Sequence, residues 1–285
     1  YGFFISFSSG VPAYFETRPA KKYTGQTLLI FRSLCAKLAT MGVVMATIAL
    51  LFTETLLSEG SGMLFHAMFQ SRNEQTTCFD LFIGSTGHSE TQFDEYLAYI
   101  NSSIPVDASW QYQIYAADSC QVMEYVSAHQ EYYPYFDYDT LMKQSDYAAL
   151  RAMLGYPAVE LEPGQYVVHC MDYLAGLMSD YRASLSVDGE TLVPGGVYTE
   201  PFTQSLWDGN GRGYLLVVPD SAVADRSVSH SIYAAMTSQP VPEVDYNALR
   251  SLRDSRDQTV YGYDTLFSKA AVEAENASLY ATIVF

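Results

Sequence analysis

The run Asp208-Gly-Asn-Gly-Arg-Gly213 opens with the spacing of a calcium loop. It fails at the fifth position, held by Arg212, and at the twelfth, where Pro219 stands in place of a bidentate glutamate. Gly209-Asn-Gly-Arg-Gly213 also lacks the spacing of a dinucleotide-binding turn and reads as a flexible hairpin turn. No G-x-x-x-x-G-K-S/T loop occurs, so the chain cannot cradle ATP phosphates in that way. Neither H-E-x-x-H nor C-x-x-C is present, which leaves zinc without support. His66, His88, His129, His169 and His230 are scattered, and no nucleophile elbow accompanies them. The residues therefore point away from an enzyme and call for no cofactor and no metal.

One segment has the composition of a contact surface. Glu131-Tyr-Tyr-Pro-Tyr-Phe-Asp-Tyr-Asp139 sets aromatic rings among carboxylates. Tyr132, Tyr133, Tyr135, Asp137 and Asp139 are the candidate ligand contacts. Rings and acids together could hold a cationic amphipathic peptide by aromatic contact and charge attraction. The same composition suits an aromatic strand pair with solvated acids. Cys78, Cys120 and Cys170 allow one disulfide in an oxidising compartment, or three buried apolar thiols.

The elements that would position these residues read as a mixed set. Cys78–Ile83 has strand character ended by Gly84, and Ser89 with Gln92 forms a capping box for a helix carrying Phe93, Tyr96, Leu97 and Ile100. Trp110–Tyr115 alternates as a strand. Asp118 caps a short helix through Val126. Asp139–Met142 leads into a helix capped by Ser145 and stopped by Gly155. Val159–Leu161, Pro163-Gly164 and Gln165–His169 read as a hairpin. Strands follow at Arg182–Val187, across an Asp188-Gly189 turn to Leu192–Tyr198, and at Tyr214–Val218. Val244–Leu252 and Thr265–Ala274 read as helices, with a strand near Thr259–Tyr263. Strands and helices interleave without regular βαβ spacing, so the expected fold class is an α+β domain.

Charge separates this domain from what precedes it. Within residues 1–37, Arg18, Lys21, Lys22, Arg32 and Lys37 stand against Glu16 alone. Residues 38–53 carry no charge, and from Glu54 onward 31 acids face 10 bases. A basic flank, an apolar run and an acidic body is the pattern of a membrane crossing with its basic side in the cytoplasm. The uncharged run spans about 24 Å as a helix, and continuing to Ser58 reaches about 31 Å, enough for the hydrocarbon core. A helix buried in a soluble core satisfies run length alone. The resulting division is residues 1–15 as the end of a preceding transmembrane helix, 16–37 as a cytoplasmic connection, 38–58 as a transmembrane helix, and 59–285 as an extracellular α+β domain opened by a helical stalk at about 59–72. Leu28, Leu29, Phe31, Leu34, Cys35 and Leu38 give the connection an amphipathic helix, or else the first turns of the membrane helix. Tyr1 and the apolar Ala281–Phe285 suggest a piece of a longer protein.

Composition closes off other classes. Of 285 residues, 49% are hydrophobic and 14% aromatic, which argues against disorder. A net charge of −17 repels phosphate backbones, so no nucleic-acid partner is expected.

Several segments resemble FtsX-like ABC-transporter permeases of Gram-positive bacteria, in the branch linked to peptide-antibiotic sensing and resistance. They are Arg18-Pro-Ala-Lys-Lys-Tyr-Thr-Gly-Gln26, Leu29-Ile-Phe-Arg-Ser-Leu34 with Lys37-Leu-Ala-Thr-Met-Gly42, Thr76-Thr-Cys-Phe-Asp-Leu-Phe82, and Gln144-Ser-Asp-Tyr-Ala-Ala-Leu-Arg151 before Gly155. Ala274–Ser278 into Ala281–Phe285 resembles the approach to a further membrane helix. The resemblance implies a permease subunit with a large outer domain between two membrane helices. It implies a separate ABC ATPase subunit, membrane lipid around the helices, a sensor kinase and a cationic peptide ligand as partners. Two readings from other classes stand beside it: a membrane-anchored extracellular ligand-binding module without transport, and an anchored hydrolase, which the missing motifs disfavour.

Overall fold

In the computed structural model the described residues are 27–284 apart from 88, 90, 188 and 205–208, together with 6, 10, 13–14 and 16–17. For 27–32, 34–36, 38–40, 42, 72 and 283–284 only the backbone is described. Most of 1–26, and the side chains that would make residues 28–38 amphipathic, therefore lie outside the described residues.

A single helix, α1, runs from Thr27 to Thr76, 50 residues without a break. At 1.5 Å per residue it is about 75 Å long. No backbone break marks 37 or 58, so the segments expected as connection, crossing and stalk fall on one continuous helix from Thr27 onward. Val43–Thr76 is the one stretch among the described residues long and apolar enough to cross a membrane, and 6% of its 18-residue apolar window is buried. Val43, Leu51, Phe52, Leu56 and Leu57 all stand exposed, unlike the side chains of a helix inside a soluble core. Thr47, Thr53 and Thr55 donate their hydroxyls to the carbonyls four residues back, at 3.0, 2.8 and 2.8 Å, so these polar groups are satisfied within the helix.

The chain forms two compact units, one of residues 1–67 with 278–285, the other Met68–Ala277. In the first, the rings of His66 and Tyr280 lie 5.2 Å apart.

The second unit is built on a nine-stranded sheet in the order β5-β6-β4-β7-β3-β2-β8-β1-β9. The strands are β1 Leu81–Ser85, β2 Val106–Ala116, β3 Thr140–Lys143, β4 Gln165–Cys170, β5 Leu185–Val187, β6 Glu190–Tyr198, β7 Tyr214–Val218, β8 Val228–Thr237 and β9 Asp264–Ser268. Pairing is antiparallel except β3 with β7 and β4 with β6, which are parallel. The helices are α2 Asp94–Ser103, α3 Gln121–His129, α4 Gln144–Met153, α5 Asp172–Asp180, α6 Glu243–Ser255, the single turn α7 Gln258–Tyr261, and α8 Lys269–Val284.

The period-2 alternation of strands sorts the core onto two faces. Tyr112, Ile114, Met142, Val167, Leu215, Val217 and Ile232 pack on one face against Tyr147 and Leu150 of α4. Tyr166, Val168, Cys170, Leu216 and Val218 face the other way, onto Val122 and Val126 of α3 and Leu174 and Met178 of α5. Further along that face, Leu81, Ile83 and Tyr233 pack against Tyr96 and Ile100 of α2 and Leu249 of α6. Central strands buried on both faces read as continuous apolar runs, as in Tyr214-Leu-Leu-Val-Val218.

Several expectations are met. β7 has the expected bounds, and the Gly189 turn (φ 79) joins β5 to β6 with Val187 opposite Glu190. Gly155 (φ 73) ends α4 in a Schellman motif: Tyr156 N–H donates to Arg151 O and Gly155 N–H to Ala152 O. Others are corrected. Gly84 does not end β1 but lies inside it, opposite Ile232 and Thr265. Residues 159–161 form no strand, and β4 pairs with β6 and β7 instead of making a hairpin. The region read as a helix from Thr265 is strand β9 up to Ser268, and only then helix α8. The strand expected near 259–263 is the turn α7. Ser145 is not the cap of α4: the helix begins at Gln144, and Ser145 N–H donates to Asp220 Oδ1 at 3.0 Å. The Ser89–Gln92 box does not form either. α2 starts at Asp94, while the buried Gln92 side chain reaches Ser85 Oγ and Tyr261 O, both at 2.6 Å.

Candidate functional site

The segment 131–139 is irregular, not a strand pair. It splits its candidate residues by burial. Asp139 is fully buried. It accepts hydrogen bonds from the backbone N–H groups of Val122 (2.9 Å) and Met123 (3.0 Å) and from the Tyr214 hydroxyl (2.5 Å). Its carboxylate thus caps α3, the role expected of Asp118. Asp118 instead pairs with Arg226. Burial pushes the Asp139 pKa up, against the three hydrogen bonds that lower it. Unlike the other candidate contacts, Asp139 is buried beneath the surface and engaged in capping α3.

The remaining contacts stay at the surface. Tyr132 is half-buried and donates its hydroxyl to Arg212 O at 2.5 Å. The Arg212 guanidinium sits 4.4 Å from the centre of the Tyr135 ring. Phe136 stacks on Tyr138 at 5.0 Å, and Tyr138 shares a 2.7 Å hydrogen bond with Ser229 Oγ. Asp137 is exposed. Tyr133 is 64% exposed, touching Glu131, and Tyr173 is 58% exposed. Tyr173 also lies against Gly213, where its hydroxyl is 2.6 Å from the place a Cβ would occupy. The result is a tyrosine-rich surface around Arg212, with two acids: Glu131, which accepts the Tyr133 hydroxyl, and the exposed Asp137. Sequence reasoning missed Tyr173 and Arg212 because they come from other parts of the chain.

The two histidines nearest the core serve structure. His169 shares a 2.7 Å hydrogen bond with the Tyr147 hydroxyl and another with Glu200 O. Burial lowers its pKa to about 4. His230, bonded to Gly209 O at 2.9 Å, is lowered to about 4 for the same reason. Beside His169, the buried Arg151 donates to both oxygens of Glu200, at 3.1 and 2.8 Å, and is ringed by Tyr147, Tyr156 and Tyr198. The Arg151 hydrogen bonds hold the Glu200 pKa down to about 2. Among the described residues no cluster of three ligating side chains suits a metal, and Cys78, Cys120 and Cys170 are free thiols.

The residues after α1 make a second arrangement. Asp80 O accepts from Lys269 N–H at 3.1 Å, and Asp80 Oδ2 accepts from Thr237 N–H at 2.9 Å. Leu81 is opposite Ser268. The strand entered from α1 and the strand that runs into α8 are therefore direct neighbours, tied at their roots by Asp80. A strap, residues 200–204, meets the C-terminal end of α1. Gln204 N–H donates to Gln75 O at 3.4 Å and Thr203 N–H to Cys78 Sγ at 3.2 Å. This geometry has no reacting centre.

No protein-family model matches the chain, and no curated protein matches it. Among the solved structures that overlap it loosely are the following three. A protein described as a lipoprotein from Bacillus anthracis shares 10% identity at a TM-score of 0.36, over 60% of this chain and 91% of that one. The periplasmic region of MacB from Actinobacillus actinomycetemcomitans shares 11% at 0.29, over 72% and 94%. A domain described as a permease from Porphyromonas gingivalis shares 16% at 0.29, over 67% and 91%. Overlaps this loose assign neither a family nor an activity.

Proposed function

We propose that this chain is part of the permease subunit of an FtsX-like ABC transporter, comprising a membrane helix and the extracellular domain that follows it. ATP hydrolysis takes place on a separate ATPase subunit at the cytoplasmic face. The reading rests above all on one observation: a continuous 50-residue helix exposes its apolar side chains between a basic strip and an acidic α+β domain. The neighbouring β1 and β9 support it, since a domain inserted between two membrane helices needs its ends side by side. The ordered motifs of the sequence, which resemble those of that family, support it further.

In this reading the surface around Tyr132, Tyr133, Tyr135 and Asp137, with Tyr173 and Arg212, contacts the ligand, a cationic peptide drawn by the acidic domain. The outcome of transport is export, removal or sensing of that ligand.

The test is topology in whole cells carrying the full-length protein. With Lys21→Cys and Tyr133→Cys read above the wild-type background, a membrane-impermeant maleimide should label position 133 directly and position 21 only after permeabilisation. Labelling of both from one side overturns the reading. Co-purification of an ATPase that depends on residues 16–37 separates a permease from an anchored binding module.

A further inference from the structure

We propose that residues 200–204 are a strained clasp, which grips the end of α1 in the resting protein and releases it when α1 is pulled or turned. The clasp stands independently of the transporter reading; only its driver, ATP-powered motion of α1, rests on that reading.

Thr203 has a φ of 53°, the one positive φ outside glycine among the described residues. A β-branched side chain pays heavily in that region, because its branches crowd the neighbouring carbonyl. The residue is also fully buried, and its hydroxyl, beside the Cys78 thiol, makes no hydrogen bond of good geometry. Two costs thus fall on one residue, and such positions persist only where surrounding structure imposes them.

What imposes them is the grip on α1. The last carbonyls of a helix lack donors of their own. Here the Cys78 thiol donates toward Glu74 O (3.4 Å) and Gln75 O (3.5 Å) while accepting the Thr203 N–H, and Gln204 N–H reaches Gln75 O. The flanks of the strap are fixed. Glu200 is held by Arg151. The Phe202 ring lies 4.6 Å from His169 and 5.2 Å from Tyr147. Gln204 Nε2 donates to His169 O at 3.1 Å. Asn210 donates to Thr203 O and Phe202 O and accepts from the Tyr112 hydroxyl. The adjustable part is the backbone at Thr203 and the two contacts it makes possible.

Opening would trade the Thr203 N–H bond to Cys78 Sγ (3.2 Å) and the long Gln204 N–H bond to Gln75 O (3.4 Å) for an extended Thr203 and a hydrated hydroxyl, which makes a two-state element that a pull on α1 biases. Cys78 reports the state, because its sulfur loses the Thr203 N–H and gains access to solvent when the clasp opens.

The experiment measures alkylation of Cys78 by N-ethylmaleimide in the full-length protein in its membrane, with Cys120 as the internal control. Glycine and asparagine both accept a positive φ, so Thr203→Gly and Thr203→Asn relieve the closed state of strain. Each should slow Cys78 alkylation about ten-fold and leave Cys120 unchanged. Unchanged Cys78 rates in both variants, or parallel changes at Cys78 and Cys120, overturn the clasp. Adding ATP to the assembled complex should speed Cys78 labelling in the wild type and much less in Thr203→Asn. A basal difference between variants without any ATP effect keeps the clasp and removes the transporter reading.

Discussion

Asp139 shows what composition conceals at the scale of a residue. Among neighbouring tyrosines it reads as a surface acid, yet it caps a helix that begins 18 positions earlier in the chain. Only the folded sheet brings the two together. Asp139→Ala should leave two backbone donors and the Tyr214 hydroxyl unpaired and cost about 2 kcal/mol, measured by urea unfolding. Asp139→Asn, which keeps one acceptor, should cost less. His169 and His230 set an acid limit. Each has a folded pKa of about 4 against an ordinary 6.5. Between those values the unfolded chain binds protons that the native chain does not. Stability therefore falls as pH drops from about 6.5 towards 4, by at most ~3 kcal/mol per histidine. Thermal melts of His169→Gln and His230→Gln should show a flatter acid limb than the wild type. Glu200, held down by Arg151, adds a loss at still lower pH, because its folded pKa lies below its ordinary value.

At the scale of elements, glycines at positive φ separate a mild substitution from a severe one. A Cβ at Gly155 meets nothing within 4 Å, so Gly155→Ala should cost only the backbone strain, about 1 kcal/mol. A Cβ at Gly211 falls 2.0 Å from Tyr214 O, a backbone atom that cannot step aside. Gly211→Ala should cost more than twice as much, which paired denaturation curves would reveal. The contrast bears on what could be read beforehand. Gly155 and Tyr214–Val218 were legible because a helix stop and a continuous apolar strand are local signals. β8 was not anticipated. Its Val-Ser-His-Ser-Ile-Tyr-Ala-Ala-Met-Thr sequence is rich in small and polar residues, and only pairing with both β1 and β2 makes it a central strand. β9 reads as helix from sequence because Leu266 and Phe267 run on into the alanines of α8, and pairing with β1 makes it a strand. The candidate surface was half legible: its tyrosines lie close in sequence, but Arg212 and Tyr173 join them only in the fold.

For the molecule as a whole, the two compact units predict different behaviour in water. A fragment of residues 68–277 contains the entire sheet and all three core clusters. It should fold alone as a soluble monomer, with fixed aromatic signals in near-ultraviolet circular dichroism. The full chain should require detergent, because Leu50, Leu51, Phe52, Leu56 and Leu57 on α1 are all exposed. A fragment that aggregates, or a full chain that stays monomeric without detergent, would contradict this division.

β1 and β9 are antiparallel neighbours about 4.8 Å apart, so the sheet domain begins and finishes at nearly the same point. A body with such closely set ends can be spliced into a tight turn of an unrelated carrier without a spacer. A bundle of rods could in this way acquire, exchange or discard the whole globule in a single genetic step, with the rest of its packing left as it was.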